Sequence, residues 1–215
     1  MWAALGAILM QTFSDAFTKA ESETRHLIEE FNFSLSGVGI QEIEGTTAVY
    51  GSARYVEAHP TTHDKDLIRS VNLFIAPVRL ELNLSIECGK WKFDLDELCY
   101  LEGHIKYPQR SHDMYKAMYD SEQLKCEFEN LFFTLRAAGS RFFKNDLALW
   151  SDLNNQRLSR LLIEKNERIF QKAEVAFKAK NWSEVVNLLE GKQDKLSKLN
   201  RGRLNYAKQH LIKST

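Results

Sequence analysis

The sequence predicts an α+β protein, with an N-terminal helix packed on an antiparallel β-meander and an all-helical second half. Three observations predict it. Val78 to Cys88 alternates apolar Val78, Leu80, Leu82, Leu84, Ile86 and Cys88 with polar Arg79, Glu81, Asn83, Ser85 and Glu87, the period of two of a half-buried strand. Around Thr12 to Glu30, Phe13, Phe17, Ala20, Thr24, Leu27, Ile28 and Phe31 instead recur at steps of three and four residues, the period of an amphipathic helix. Beyond Asp120 the apolar residues recur at helical spacing.

Met1 to Met10 is apolar but carries no basic flank. It is far short of the ~20 residues that span a bilayer, so no export signal or membrane partner is expected, and Met10 is a candidate natural start. After the helix, Ser34, Ser36, Gly37 and Gly39 suggest a turn or a kinked first strand, and Gly45 marks another turn. Thr46 to Ala58, rich in Val, Tyr and Thr, reads as a strand. His59 to Asp64 reads as a loop that Pro60 keeps out of the sheet. Asp66 to Ile75 alternates again, and Ala76-Pro77 connects it to the strand beginning at Val78. At about 3.3 Å per residue that strand extends about 36 Å, long enough to cross the sheet. Trp91, Phe93, Leu95, Leu98 and Leu101 fold back over it, the last three in a short helix capped by Asp94.

Residues 102–119, with Gly103, Pro108 and little periodicity, read as a linker, dividing the chain into domains 1–115 and 116–215 that either stand apart or share one core. Asp120 and Gln123 form a candidate capping box for a helix ending near Gly139. A long helix follows from Asp146 or Ser151 to Ala179. Asn181 interrupts it, Ser183 caps a shorter helix stopped by Gly191, and Leu199 to Leu211 forms the last. Ala173 to Leu189, with Ala173, Phe177, a polar turn, Trp182 and then Val185, Val186, Leu188 and Leu189, resembles one tetratricopeptide-type helix-turn-helix. The resemblance covers Asn166 to Gln209, and no second copy follows at the 34-residue period. An α+β meander followed by such a helical pair also resembles small bacterial immunity-type proteins. That resemblance implies a cytoplasmic protein that neutralises a toxin by direct binding, and it assigns no residue a role.

Charge is divided unevenly within a formally neutral chain of 215 residues. Residues 1–115 hold 10 Lys/Arg against 17 Asp/Glu, net −7, and residues 116–215 hold 19 against 12, net +7. The halves attract each other, or one of them meets a partner of opposite sign. The preferred surface is acidic: Glu57, Asp64, Asp66, Glu81 and Glu87, on strands and turns, would steer a basic, toxin-like protein onto the sheet, with Tyr107 and Tyr115 as aromatic anchors.

No motif argues for an enzyme, a cofactor or a metal. His59, His63 and Asp64 have ligand-like spacing, but Pro60 denies them helical presentation. Gly37-x-Gly39 lacks the third glycine and the strand-turn-helix setting of a dinucleotide site. Asp94, Asp96 and Glu97 suit a helix start better than acid-base work. Cys88, Cys99 and Cys126 read as buried thiols of a reducing compartment. The basic run Lys192, Lys195, Lys198, Arg201, Arg203 and Lys208 occupies more than one helical face, so it reads as a solvated surface before a nucleic-acid site. The remaining alternative is a nucleic-acid or small-ligand protein, or an enzyme, with its site between sheet and helices.

Overall fold

Period-two segments pair in chain order into a five-stranded antiparallel sheet: β1 (Phe33–Glu42), β2 (Val49–Glu57), β3 (Arg69–Ala76), β4 (Glu81–Cys88) and β5 (Trp91–Asp94). The computed structural model describes residues 2–42, 49–60, 67–76, 81–103 and 120–213. The register sets Val71, Leu73 and Ile75 opposite Ile86, Leu84 and Leu82, and Ala53 and Tyr55 opposite Leu73 and Val71. One sheet face is therefore a continuous apolar layer, and all of these side chains are buried. The sequence-predicted strand from Val78 begins, among the described residues, at Glu81. Of the turn or kinked first strand expected at Gly37 and Gly39, the structure has the kinked strand: both lie inside β1, where the register shifts between Leu35 and Gly37. Such a bulge bends an edge strand without ending it.

Helices cover the apolar face. Helix α1 (Trp2–Thr24) runs further toward the N-terminus than its apolar spacing suggested. It stops where the Thr24 hydroxyl donates to the carbonyls of Ala20 at 2.9 Å and Glu21 at 3.3 Å. The single turn α2 (His26–Glu29) follows, and Asn32, at φ 67°, turns the chain into β1. Phe13 and Phe17 of α1 are fully buried. The Phe17 ring lies so close to β2 that a Cβ on Gly51 would meet it at 2.8 Å, so that position holds glycine because no side chain fits.

Helix α3 (Leu95–Leu101) follows β5, with the Asp94 N–H donating to the Glu97 carboxylate at 3.0 Å. Helix α4 (Ser121–Ala138) packs beside α1 and buries Leu124, Phe128, Phe132 and Leu135 in the same core. Phe128 meets Phe17 edge-on at 5.6 Å, and Phe132 meets Tyr55 at 5.8 Å. At its start Asp120 accepts from the N–H groups of Glu122 and Gln123 at 2.9 and 3.2 Å. The turn α5 (Ser140–Phe143) then places Phe142 on Phe33.

The chain divides into two compact units, Met1–Leu153 and Asn154–Thr215. The boundary lies well past residue 115, because α4, α5 and the start of α6 (Ala148–Lys178) bury their apolar faces in the sheet's core. Charge follows this division more sharply than the one read from sequence. Residues 1–153 hold 15 Lys/Arg against 23 Asp/Glu, net −8, and residues 154–215 hold 14 against 6, net +8.

The second unit comprises the rest of α6, then α7 (Trp182–Leu189), a 3₁₀ turn (Gln193–Lys195) and α8 (Lys198–Lys213). Lys180 at φ 57° ends α6. The cap of α7 is Asn181 rather than the expected Ser183: its side chain accepts from the Glu184 N–H at 3.3 Å, while the Ser183 hydroxyl donates to Asn181 at 3.0 Å. The core of this unit is small: Ala173, Ala176, Val185, Leu189, Leu196, Leu204 and Ala207.

Candidate functional site

Of the residues expected to form an acidic surface, Glu57 and Glu87 have described side chains, and these two lie on opposite faces of the sheet. Glu57 shares the parity of Ala53 and Tyr55 along β2, so it points to the core face and is buried. There it forms an ion pair with Arg69, whose Nε donates at 3.1 Å. Arg69 also donates to the carbonyls of Phe142 and Phe143 and lies 5.6 Å from the ring centroids of both Phe33 and Phe142. Glu87 does lie on the opposite face, but Lys92 sits 3.1 Å and Arg54 4.0 Å from its carboxylate. Glu81 is in β4 with its side chain outside the description, and Asp64, Asp66, Tyr107 and Tyr115 lie outside the described residues. So do His63 and the Tyr119 end of the expected linker. With Arg54, Lys92 and Asp94 around Glu87, the described part of this face is mixed in sign rather than acidic.

The first unit's other buried carboxylate is equally committed. Glu21, fully buried on α1, accepts from Arg25 Nε at 3.0 Å and Nη2 at 2.7 Å, and from the Tyr55 hydroxyl at 2.8 Å. Burial, and then the Glu21 carboxylate, push the Tyr55 phenol well above its ordinary range. Asp94 is raised from the usual carboxylate range by burial, and its place at the head of α3 is a capping role. Burial pushes up the thiols of Cys88 and Cys99, the latter to about 11, so both are protonated at neutral pH. Cys126, expected to be buried, is exposed on α4. Among the described residues no three His, Cys, Asp or Glu side chains are grouped to hold a metal ion, and no helix is long and apolar enough to cross a membrane.

The second unit carries a concentration of exposed apolar side chains. Beside its small core, Leu158, Leu161, Leu162, Ile163, Val175, Leu199 and Tyr206 are all exposed. At the end of α6, an aromatic cluster joins three helices. Trp182 meets Phe177 at 5.4 Å and Tyr206 at 5.5 Å, and stacks on His210 at 5.1 Å. Beside it, Phe177, Leu199 and Tyr206 line an open groove of about 830 Å³ edged by Lys178, Lys198 and Arg203. Leu199 is 64% and Tyr206 47% exposed. Gly202 sits in the same groove, and nothing lies within 4 Å of where its Cβ would be. A glycine inside a helix costs about 1 kcal/mol relative to alanine, so an open surface with no side chain filling it is kept at some loss of stability.

Sequence reasoning named neither the groove nor Gly202. The available signal was the lone repeat itself: one helix-turn-helix with no neighbour must leave apolar residues uncovered. The chain matches no protein-family model, no curated protein and no solved structure.

Proposed function

We propose that this chain is a non-catalytic protein-binding protein, working through the groove between the end of α6 and the first half of α8. The observation that carries the reading is the groove itself, with exposed Leu199 and Tyr206 beside Phe177 and three cations at its edge. Apolar anchors inside a charged rim are the composition of a protein interface. The groove is open along its length, whereas small-molecule sites enclose most of their ligand. Neutralisation of a toxin, which the immunity-type resemblance implies, is the specific form of this reading. The ion pairs at Glu57 and Glu87 move the proposed contact from the sheet to the helical unit.

A nucleic-acid reading has the charge in its favour, but the rings beside the groove already pack against one another. The rings of Phe177, Trp182 and Tyr206 pack edge-on or tilted against one another, and single-stranded nucleic acids need exposed ring faces.

The test is cross-linked co-purification of the full chain from its native host, in parallel with a Leu199→Glu/Tyr206→Ala variant of unchanged circular dichroism. A partner held by the natural chain and lost by the variant is the expected result, and suppression of that partner's toxicity on co-expression would identify the immunity form. Equal retention by both proteins overturns the groove reading.

A further inference from the structure

A second feature of the helical unit says what kind of protein would bind. On α6, Leu161, Lys165, Arg168, Ile169 and Lys172 follow at i, i+4, i+7, i+8 and i+11, which places them on one helical face. Lys165 and Ile169 form a ridge with a hollow on each side. One, of about 300 Å³, is bounded by Leu161, Arg168 and Lys172. The other, of about 250 Å³, lies toward the 3₁₀ turn and is bounded by Leu162 and Lys195. Leu161 is 54% and Leu162 47% exposed.

The charge around this ridge is strongly one-sided. Among the described residues, Lys165, Arg168, Lys172 and Lys195 form no ion pair, and Glu164 and Asp194 are the carboxylates lining the hollows. Elsewhere in the unit, Glu174 is engaged by Lys178 and Arg203, and Glu190 by Lys208. An occupant must therefore offer apolar side chains to Leu161, Leu162 and Ile169 and negative charge to the cations around them.

We infer that the α6 ridge docks an acidic amphipathic helix of a partner protein, seated by leucine-like side chains in its two hollows. The inference rests on the protein-binding reading above and adds the partner's chemistry. Two observations favour a peptide over the other anionic partners. The anchors are aliphatic, which suits apolar side chains and offers nucleic-acid bases no ring to stack on. The hollows are concave on both sides of a ridge, whereas a helix lying on a membrane presents a convex apolar face.

The test uses the full chain and a fluorescent synthetic helix of about 18 residues, five turns, with leucine on one face and glutamate on the other. A counterpart with lysine replacing glutamate, anionic phosphatidylglycerol vesicles and an oligouridine are the comparison probes. The glutamate helix is expected to bind at least about tenfold more tightly than the lysine helix, and to lose about tenfold in affinity with Lys165→Glu/Lys172→Glu and with added salt. Leu161→Ser/Leu162→Ser is expected to weaken it comparably while leaving circular dichroism unchanged. Equal binding of the two helices, no binding of the glutamate helix, or preference for vesicles or oligouridine overturns the inference. Co-purification separates the two claims: if Lys165→Glu/Lys172→Glu keeps a native partner that Leu199→Glu/Tyr206→Ala loses, the acidic-helix inference fails and the protein-binding reading stands.

Discussion

Among the described residues of 1–153, the buried carboxylates Glu21 and Glu57 each meet an arginine, and Glu23, Glu30 and Glu122 also have cationic partners. In residues 154–215 four cations along α6 and the 3₁₀ turn have no carboxylate partner among the described residues, and leucines stand beside them in the open. The first unit pairs the buried carboxylates Glu21 and Glu57 internally and buries Phe13, Phe17, Tyr55, Phe93 and Phe128 in its core, with Tyr100 and Phe133 left exposed. The second has a small core of alanine, valine and leucine and leaves Leu158, Leu161, Leu162 and Leu199 exposed. Net charge alone, −8 against +8, would point equally to either unit as the interacting surface. Pairing decides between them, because a neutralised charge attracts a partner weakly.

The largest effect expected of this difference is at Arg69. Arg69→Ala leaves Glu57 buried without a cation and deprives the carbonyls of Phe142 and Phe143 of a donor, which is expected to cost about 3–5 kcal/mol. Urea unfolding of the single variant and of Glu57→Gln/Arg69→Met is the check. The double change, leaving no stranded charge, should recover much of the loss. A cost near zero for Arg69→Ala would mean that the pair is not closed to water.

Next comes the same chemical change made once in each unit. Leu84 is fully buried in the first unit's core, so Leu84→Ala should cost about 2–5 kcal/mol. Leu161, more than half exposed, should change stability by no more than about 0.5 kcal/mol on truncation. Comparable losses at the two positions, measured by chemical denaturation, would show that α6 is covered in solution and would remove the contrast between the units.

Glycines sharpen the comparison on a smaller scale. Gly51→Ala drives a Cβ into the Phe17 ring and should cost about 1–3 kcal/mol. Gly202→Ala meets nothing and should stabilise the helical unit by about 0.5–1 kcal/mol through helix propensity. Thermal denaturation of the two variants should therefore shift in opposite directions.

Much of the sheet was legible, since Leu82, Leu84 and Ile86 announce their face by alternation and need no tertiary knowledge. The same parity also assigned Glu57 to the buried face, as it follows Ala53 and Tyr55 at steps of two. Its charge suggests an exposed position, but its phase along β2 places it inside. The boundary at residue 153 was not legible, because the amphipathic spacing of α4 says that a face is buried but not against which neighbour. The short turn Ser140–Phe143 hides for a related reason: four residues carry no period, and its place is set by Phe33 and Arg69, distant in sequence. The groove beside Tyr206 and the hollows beside Ile169 are visible only once the helices are packed, because exposure depends on which neighbours are absent.

The smallest expected effect is one of pH, and its sign differs between the units. Glu174 is held below the usual carboxylate range by Lys178 and then Arg203. A carboxylate with a depressed folded pKa contributes stability above its unfolded value, about 4.5, and loses it as pH falls through the lower folded value. Asp94 is raised by burial, so its contribution is complete below its unfolded value, about 3.8, and is lost as pH rises through the raised one. Hydrogen exchange followed residue by residue should therefore show Glu174→Gln weakening α6 and α8 at neutral pH and flattening their acid-induced loss of protection. Asp94→Asn should preserve the cap of α3 and remove the loss of protection that accompanies ionisation of Asp94. If both variants changed protection with the same sign, the carboxylates would share one environment, and exposed pairing in one unit against burial in the other would not distinguish them.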